Sequence, residues 1–174
     1  DGGVYVLYIQ MAPYRCPPGP YERACQVAHY FKQAKPRSKV LILDANDDVV
    51  SKGALFKRIW AERYPGIIEY RPNFTTVDVD AGAHTAISEL GDRVRADVLN
   101  VVPPQRAGKI ATETGLASAN KRWCEVNFLS YESTQAKNIH VLGDAIQVAP
   151  MMPKSAHMAN QHAKVAAAAI IELL

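Results

Sequence analysis

Arg15-Cys16-Pro17-Pro18-Gly19-Pro20-Tyr21-Glu22-Arg23 is the stretch on which the fold turns. It follows the apolar run Val4-Tyr5-Val6-Leu7-Tyr8-Ile9, whose β-branched and aromatic residues read as a buried strand. It leads into Ala24, Val27, Ala28 and Phe31, spaced i, i+3, i+4 and i+7 as one apolar helix face. Pro20 suits the first helical turn, where its missing N–H would have had no partner. A cysteine thus stands between the carboxyl end of a strand and the start of a helix. In open α/β sheets ligands gather at that place.

A dinucleotide-binding βαβ unit carries Gly-x-Gly-x-x-Gly there, so that backbone N–H groups can approach a pyrophosphate. Here three prolines fill the turn, removing three donors and fixing three φ angles. Lys39-Val40-Leu41-Ile42-Leu43-Asp44 supplies the second strand and ends in an acid. The fold class is therefore α/β: a Rossmann-like parallel sheet whose phosphate cradle has been exchanged for a cysteine. Asp44 mimics the ribose-binding acid of a nicotinamide site but, without the glycine loop, reads as a turn former.

Further along, Leu55, Phe56, Ile59 and Trp60 give a helix stopped by Pro65-Gly66, and Ile67-Ile68-Glu69-Tyr70 gives a third strand. From Thr75 the texture changes to short alternating strands with turns at Ala81-Gly82 and Gly91-Asp92, a β-meander insertion. Ala96 to Val102 reads as another buried strand, broken by Pro103-Pro104. Gln105 to Ser118 reads as loop plus a short helix, and Trp123 to Asn127 as a short extended piece. Asn138-Ile139-His140-Val141-Leu142-Gly143-Asp144-Ala145 reads as a strand ending in Gly-Asp. Ser155 caps a helix running to about Leu174, with Ala166 to Ala169 suited to close packing on a sheet. Two parts are expected: residues 1–95, an NAD-like domain with the meander, and residues 96–174, the returning half of a cofactor domain with its terminal helix.

Composition narrows the function classes. The chain has 174 residues, 48% of them hydrophobic, and a formal net charge of +3 with acids and bases interspersed. No basic block marks a nucleic-acid partner. No apolar run approaches a membrane span, since Val165 to Ile171 is short and flanked by Lys164 and Glu172. The chain opens at Asp1-Gly2-Gly3 and enters a strand at once, as an excised piece of a longer protein would. Three cysteines, Cys16, Cys25 and Cys124, are an odd number, and the histidines lack metal-ligand spacing with them. No metal is expected.

Three sets of residues occur in a telling order: Arg15 to Arg23, then Asp97-Val98-Leu99-Asn100 with Pro103-Pro104-Gln105-Arg106-Ala107-Gly108, then Trp123-Cys124 with Asn138 to Ala145. Together they resemble the flavoprotein subunit of flavocytochrome c sulfide dehydrogenase, a relative of the glutathione-reductase-type flavoproteins. The resemblance implies two nucleotide-fold domains and an interface domain, FAD as cofactor, a periplasmic location and a cytochrome c subunit as partner. The chain corresponds to the NAD-like domain plus the returning half of the FAD domain, so FAD is expected of the complete protein. The resemblance also pairs Cys16 with Cys124 as a redox disulfide that takes hydrogen sulfide as substrate.

Each site residue has a plainer reading beside the functional one. Cys16 and Cys124 could be two buried thiols. Cys25, inside the helix, reads as a small apolar packer. Glu22 is either a carboxylate stabilised by the helix end or an acid/base for a sulfur-bound proton. Arg15 and Arg23 are either solvated or hold hydrosulfide and a thiolate. Gly143, Asp144 and Ala145 form a turn or a cofactor contact, in which Asp144 accepts from a ribityl hydroxyl. Lys154 and Ser155, at the terminal helix's start, would favour an electron-rich flavin edge. Rival readings are a sulfide:quinone or NADH-linked flavoprotein oxidoreductase, and a folded non-catalytic fragment.

Overall fold

Runs of β-branched and aromatic residues without polar interruption form strands that are covered on both faces. Val4–Ile9 (β1) and Lys39–Asp44 (β2) are such runs, and Val6, Leu7, Ile9, Val40, Ile42 and Leu43 are fully buried. The computed structural model describes residues 1–174. The chain divides into two units, Asp1–Ala12 with Pro17–Pro104, and Pro13–Cys16 with Gln105–Leu174.

In the first unit β1 is followed by helix α1 (Gly19–Ala34), with Pro20 in its first turn and Tyr21, Ala24 and Ala28 buried. After β2 comes α2 (Gly53–Arg63), which buries Phe56 and Trp60 and stops ahead of Pro65. Strands β3 (Ile68–Arg71) and β7 (Val98–Val101) complete a parallel sheet of order β3-β2-β1-β7. Leu7 stands between Ile42 of β2 and Asn100 of β7. Between β3 and β7 lies an antiparallel meander, β4 (Thr76–Asp80), β5 (Thr85–Ser88) and β6 (Arg93–Arg95).

Period-two side-chain alternation splits the sheet's contacts. Val6, Tyr8, Leu41 and Leu43 pack with Phe74, Ala86 and Ala96 on the meander side. The helices and β3 contribute an aromatic cluster: Tyr21 to Phe56 at 5.6 Å, Phe56 to Trp60 at 6.0 Å and Trp60 to Tyr70 at 5.4 Å between ring centroids. The expected Rossmann-like sheet with its meander is therefore present.

The division expected after Arg95 falls elsewhere. β7 pairs with β1 from Tyr5–Val98 to Tyr8–Val101, so residues 96–104 belong to the first unit.

The second unit contains α3 (Lys109–Glu113) and α4 (Ala156–Leu173), linked by short extended pieces that meet in isolated bridges. The strand expected over Asn138–Ala145 is absent. His140 bridges Glu132, Val141 N donates to Tyr131 O, and Gly143–Ala145 is a single 3-10 turn. Ile139 and Val141 alternate as in a strand but have only residues 130–134 to pair with, so no ladder extends. No helix is long and apolar enough to cross a membrane.

Candidate active site

The segment Pro13–Cys16 belongs to the second unit, although its neighbours on both sides belong to the first. Arg15 N donates to Gln105 Oε1 at 2.7 Å, and Cys16 N donates to Lys154 O at 2.8 Å. Arg15 and Lys154 form a parallel bridge. Cys16 is exposed and has φ 52°, the left-handed region that a non-glycine residue enters at a cost of roughly 1 kcal/mol. Pro17 and Pro18 follow with no N–H to place.

Cys124 is completely buried, among Ala107, Ala111 and Trp123. Its N–H donates to Ala145 O at 2.9 Å, its carbonyl accepts from Gln147 N at 2.7 Å, and it bridges Ile146 in parallel. Burial pushes its thiol up, and the Lys154 ammonium opposes that shift.

Lys154 joins these two strips. Its carbonyl holds Cys16, while its Nζ donates to Asp144 O at 2.9 Å and Ile146 O at 2.6 Å. Only 2% of the residue is exposed, and Nζ lies 3.6 Å from the Trp123 ring centroid. Burial brings its pKa down to about 8. The Asp144 carboxylate and Cys124 push it back up, and Arg122 pushes it further down. The two cysteines are free thiols; the Cys16 backbone bonds Lys154 directly, and the Cys124 backbone bonds the 145–147 strip whose neighbouring carbonyls Lys154 Nζ holds.

Gly143 adopts φ 73°, and a Cβ there would stand 3.3 Å from Ala159 Cβ. The glycine lets this turn approach α4 closely. Gly143 N donates to His162 Nδ1 at 3.1 Å. With Nδ1 accepting, the neutral ring carries its proton on Nε2, which is buried without a partner. His162 is stacked on Tyr131 at 4.6 Å, and burial lowers its pKa.

Asp144 Oδ2 pairs with Arg15 Nε at 3.2 Å, and Oδ1 is buried with no donor. Beside it opens a cavity of about 300 Å³ lined by Arg15, Gln105, Arg106, Ala107, Gly108, Trp123, Asp144, Ala145 and Lys154. An orphaned carboxylate oxygen fits a hydroxyl donor such as a ribityl chain, and Arg15 and Arg106 suit an anionic neighbour. The volume is at the low end for ligand pockets, enough for part of FAD.

Cys16, Cys124, Asp144, Ala145 and Lys154 therefore share one framework. Ser155 does not line the cavity; its Oγ accepts from Met158 N at 3.2 Å as the cap of α4. Glu22 is exposed in the first turn of α1, in the first unit. Arg23 donates to Asn100 Oδ1 at 3.0 Å. Cys25 is half-buried and accepts from Trp60 Nε1 at 3.3 Å, so it is more than a packer.

Asp44 is completely buried. Its Oδ1 accepts from Asn46 N and Nδ2 at 3.0 and 2.7 Å, and its Oδ2 from the Tyr21 and Tyr70 hydroxyls at 2.7 and 3.1 Å. It forms the turn, as its sequence setting indicates, and its second oxygen is spent on two tyrosines. His162 and Gln105 were missed by sequence reasoning. The spacing Ala159, His162, Ala166 on one helix face was the available signal for His162.

A family profile described as the central part of the sulfide dehydrogenase (flavocytochrome c) flavoprotein chain matches residues 1–103. Among solved structures, the chain is similar to the sulfide:quinone oxidoreductase of the hyperthermophilic bacterium Aquifex aeolicus. The TM-score is 0.75 at 17% identity, covering 99% of this chain and 44% of that one. It is also similar to a variant of the HOCl-induced flavoprotein disulfide reductase RclA of Escherichia coli (TM-score 0.64, 15% identity, 99% and 36% covered). A third is a NAD-dependent persulfide reductase from A. fulgidus (TM-score 0.60, 15% identity, 95% and 30% covered). The chain spans less than half the length of each. Likeness at such identities establishes the shared fold.

Proposed function

The chain belongs to the family of flavocytochrome c sulfide dehydrogenase flavoprotein chains, and from that membership we propose that it carries the sulfur-handling part of a FAD-dependent sulfide oxidoreductase. Hydrosulfide attacks one sulfur of a Cys16–Cys124 disulfide. The S–S bond breaks, a new one forms to the incoming sulfur as a persulfide, and the electron pair stays on the other cysteine as a thiolate. Glu22 stands in this reading as the base that takes the proton of hydrogen sulfide. Asp144 Oδ1 and the cations Arg15 and Arg106 would hold FAD. FAD supplies the capacity to take two electrons from sulfur and release them singly, here to the haem of a periplasmic cytochrome c subunit.

The observation that carries the reading is the tie of both cysteine segments to Lys154. Its carbonyl binds Cys16 N, and its Nζ binds the 144–146 segment alongside which Cys124 runs. Two unrelated packing thiols would need no such common anchor. Use of NADH is disfavoured because the acid at the end of β2, Asp44, is already engaged by Tyr21, Tyr70 and Asn46.

Thiol counting in denaturant tests the disulfide. The air-oxidised protein is expected to show one thiol, Cys25, before reductant and three after it; three before reductant would refute the pairing. In the complete subunit, Cys124→Ser is expected to abolish sulfide-dependent reduction of cytochrome c. Turnover at the unaltered rate would exclude the disulfide step, and reduction of quinone in place of cytochrome would reassign the acceptor.

A further inference from the structure

A lysine with 2% of its surface exposed is unusual, because an ammonium loses its hydration on burial. Lys154 makes up only part of that loss. Two of its three N–H donors go to Asp144 O and Ile146 O, and the Trp123 ring lies beneath the ammonium at 3.6 Å. Both carbonyls belong to the segment against which Cys124 runs, and Trp123 is the residue before Cys124. A thiolate at Cys124 would sit among Ala107, Ala111 and Trp123, whose one polar group is a buried, unpartnered indole N–H, and none of which carries a charge.

We propose that Lys154 is a positioning residue for sulfur: its ammonium holds the negative charge of the Cys124 thiolate in the reduced protein. The proposal rests on the reading of Cys124 as a redox thiol. No proton is transferred in the pairing, since cleavage of the disulfide leaves the electron pair on Cys124 as a thiolate beside the lysine's ammonium. Other charges facing Lys154 are Asp144, Arg122 and His162, with Arg15 bound to Asp144. Arg122 donates twice to Gln105 O at 3.1 and 2.7 Å, and its guanidinium lies 5.4 Å from the Trp123 ring centroid. Asp144 repels a thiolate. Lys154 is the cation whose charge acts on Cys124.

The electrostatic environment of the two groups agrees in direction. Burial drives Lys154 and Cys124 each toward the neutral form, and each group pushes the other back toward charge. Such coupling is reciprocal, so the charge of either partner shifts the midpoint of the other.

Cysteine labelled at 13Cβ, titrated in the reduced protein without FAD or sulfide, reads the Cys124 midpoint directly, with assignment from single Cys→Ser variants. In Lys154→Met the Cys124 midpoint is expected to rise by about one pH unit, and in Lys154→Arg to return most of the way. In Cys124→Ser the 13Cε midpoint of Lys154 is expected to fall by a similar amount. An unmoved Cys124 midpoint in a folded Lys154→Met protein overturns the proposal, as does an unmoved Lys154 midpoint in Cys124→Ser. Should Lys154→Met fail to fold, the Cys124→Ser titration decides alone. These readouts do not depend on sulfide turnover. A failed titration leaves the thiol count standing, and a failed thiol count leaves the titration readable.

Discussion

Arg15 and Asp144 are paired through one carboxylate oxygen only: Arg15 Nε meets Oδ2 at 3.2 Å, while Oδ1 is buried with no donor. The pair is partly solvent-screened, with side chains 69% and 34% exposed, so its contribution to stability is about 0–1 kcal/mol. Asp144→Ala removes that small term and also an unsatisfied oxygen. The stability of the isolated chain is expected to change by less than about 1 kcal/mol in a urea titration. In the complete subunit the same variant is expected to loosen FAD roughly 10- to 100-fold, the loss of a hydrogen bond to a charged acceptor. Equal loss of FAD in Arg15→Ala and no loss in Asp144→Ala would reverse the assignment.

Gly143→Ala tests why a glycine stands before Asp144. Its φ of 73° disfavours any Cβ, and the added methyl would meet Ala159 Cβ at 3.3 Å. A loss of about 1–3 kcal/mol is expected from the two effects together. Ala159→Gly in the same chain should recover the steric part but not the backbone part. Full recovery would show that the left-handed conformation is not strained.

Much of the first unit is written in period-two and period-3.6 patterns, which is why β1, α1, β2, α2 and the meander are legible in the sequence. The apolar runs are long and their turns carry Pro or Gly. The second unit is another matter. Ile139 and Val141 alternate like strand residues, yet whether they form a ladder depends on a partner far away in sequence, and only a bridge at His140 forms. Cys16 reads as the end of a strand-to-helix turn, but nothing local states that its backbone binds Lys154. The Gly-Asp turn is recognisable from sequence, though the crowding that favours a glycine there comes from Ala159 on α4.

Tyr21→Phe probes the buried acid at the end of β2. The hydroxyl donates to Asp44 Oδ2 at 2.7 Å and accepts from Val50 N at 3.1 Å. Its removal withdraws a donor from a buried carboxylate and an acceptor from a backbone N–H, a cost of about 1–3 kcal/mol. A shift in the urea midpoint with unchanged slope is the expected signature. No NADH binding should appear, because Asn46 and Tyr70 still engage Asp44.

His162 makes stability depend on pH in a direction that its environment fixes. Burial lowers its pKa below 6.5, and its neutral Nδ1 accepts from Gly143 N, so the folded state binds the proton less readily than the unfolded chain. Its contribution is complete above the unfolded value of 6.5 and is lost as pH falls through the lower folded value. Asp144 favours the protonated ring and Lys154 disfavours it, so the observed midpoint reports all three groups. His162→Asn offers an amide oxygen to Gly143 N without a titrating ring. Urea unfolding from pH 8 to pH 5 should show the native protein losing stability below about pH 6.5 and the variant losing less. Parallel pH profiles for the two proteins would mean that the acid sensitivity arises elsewhere in the chain.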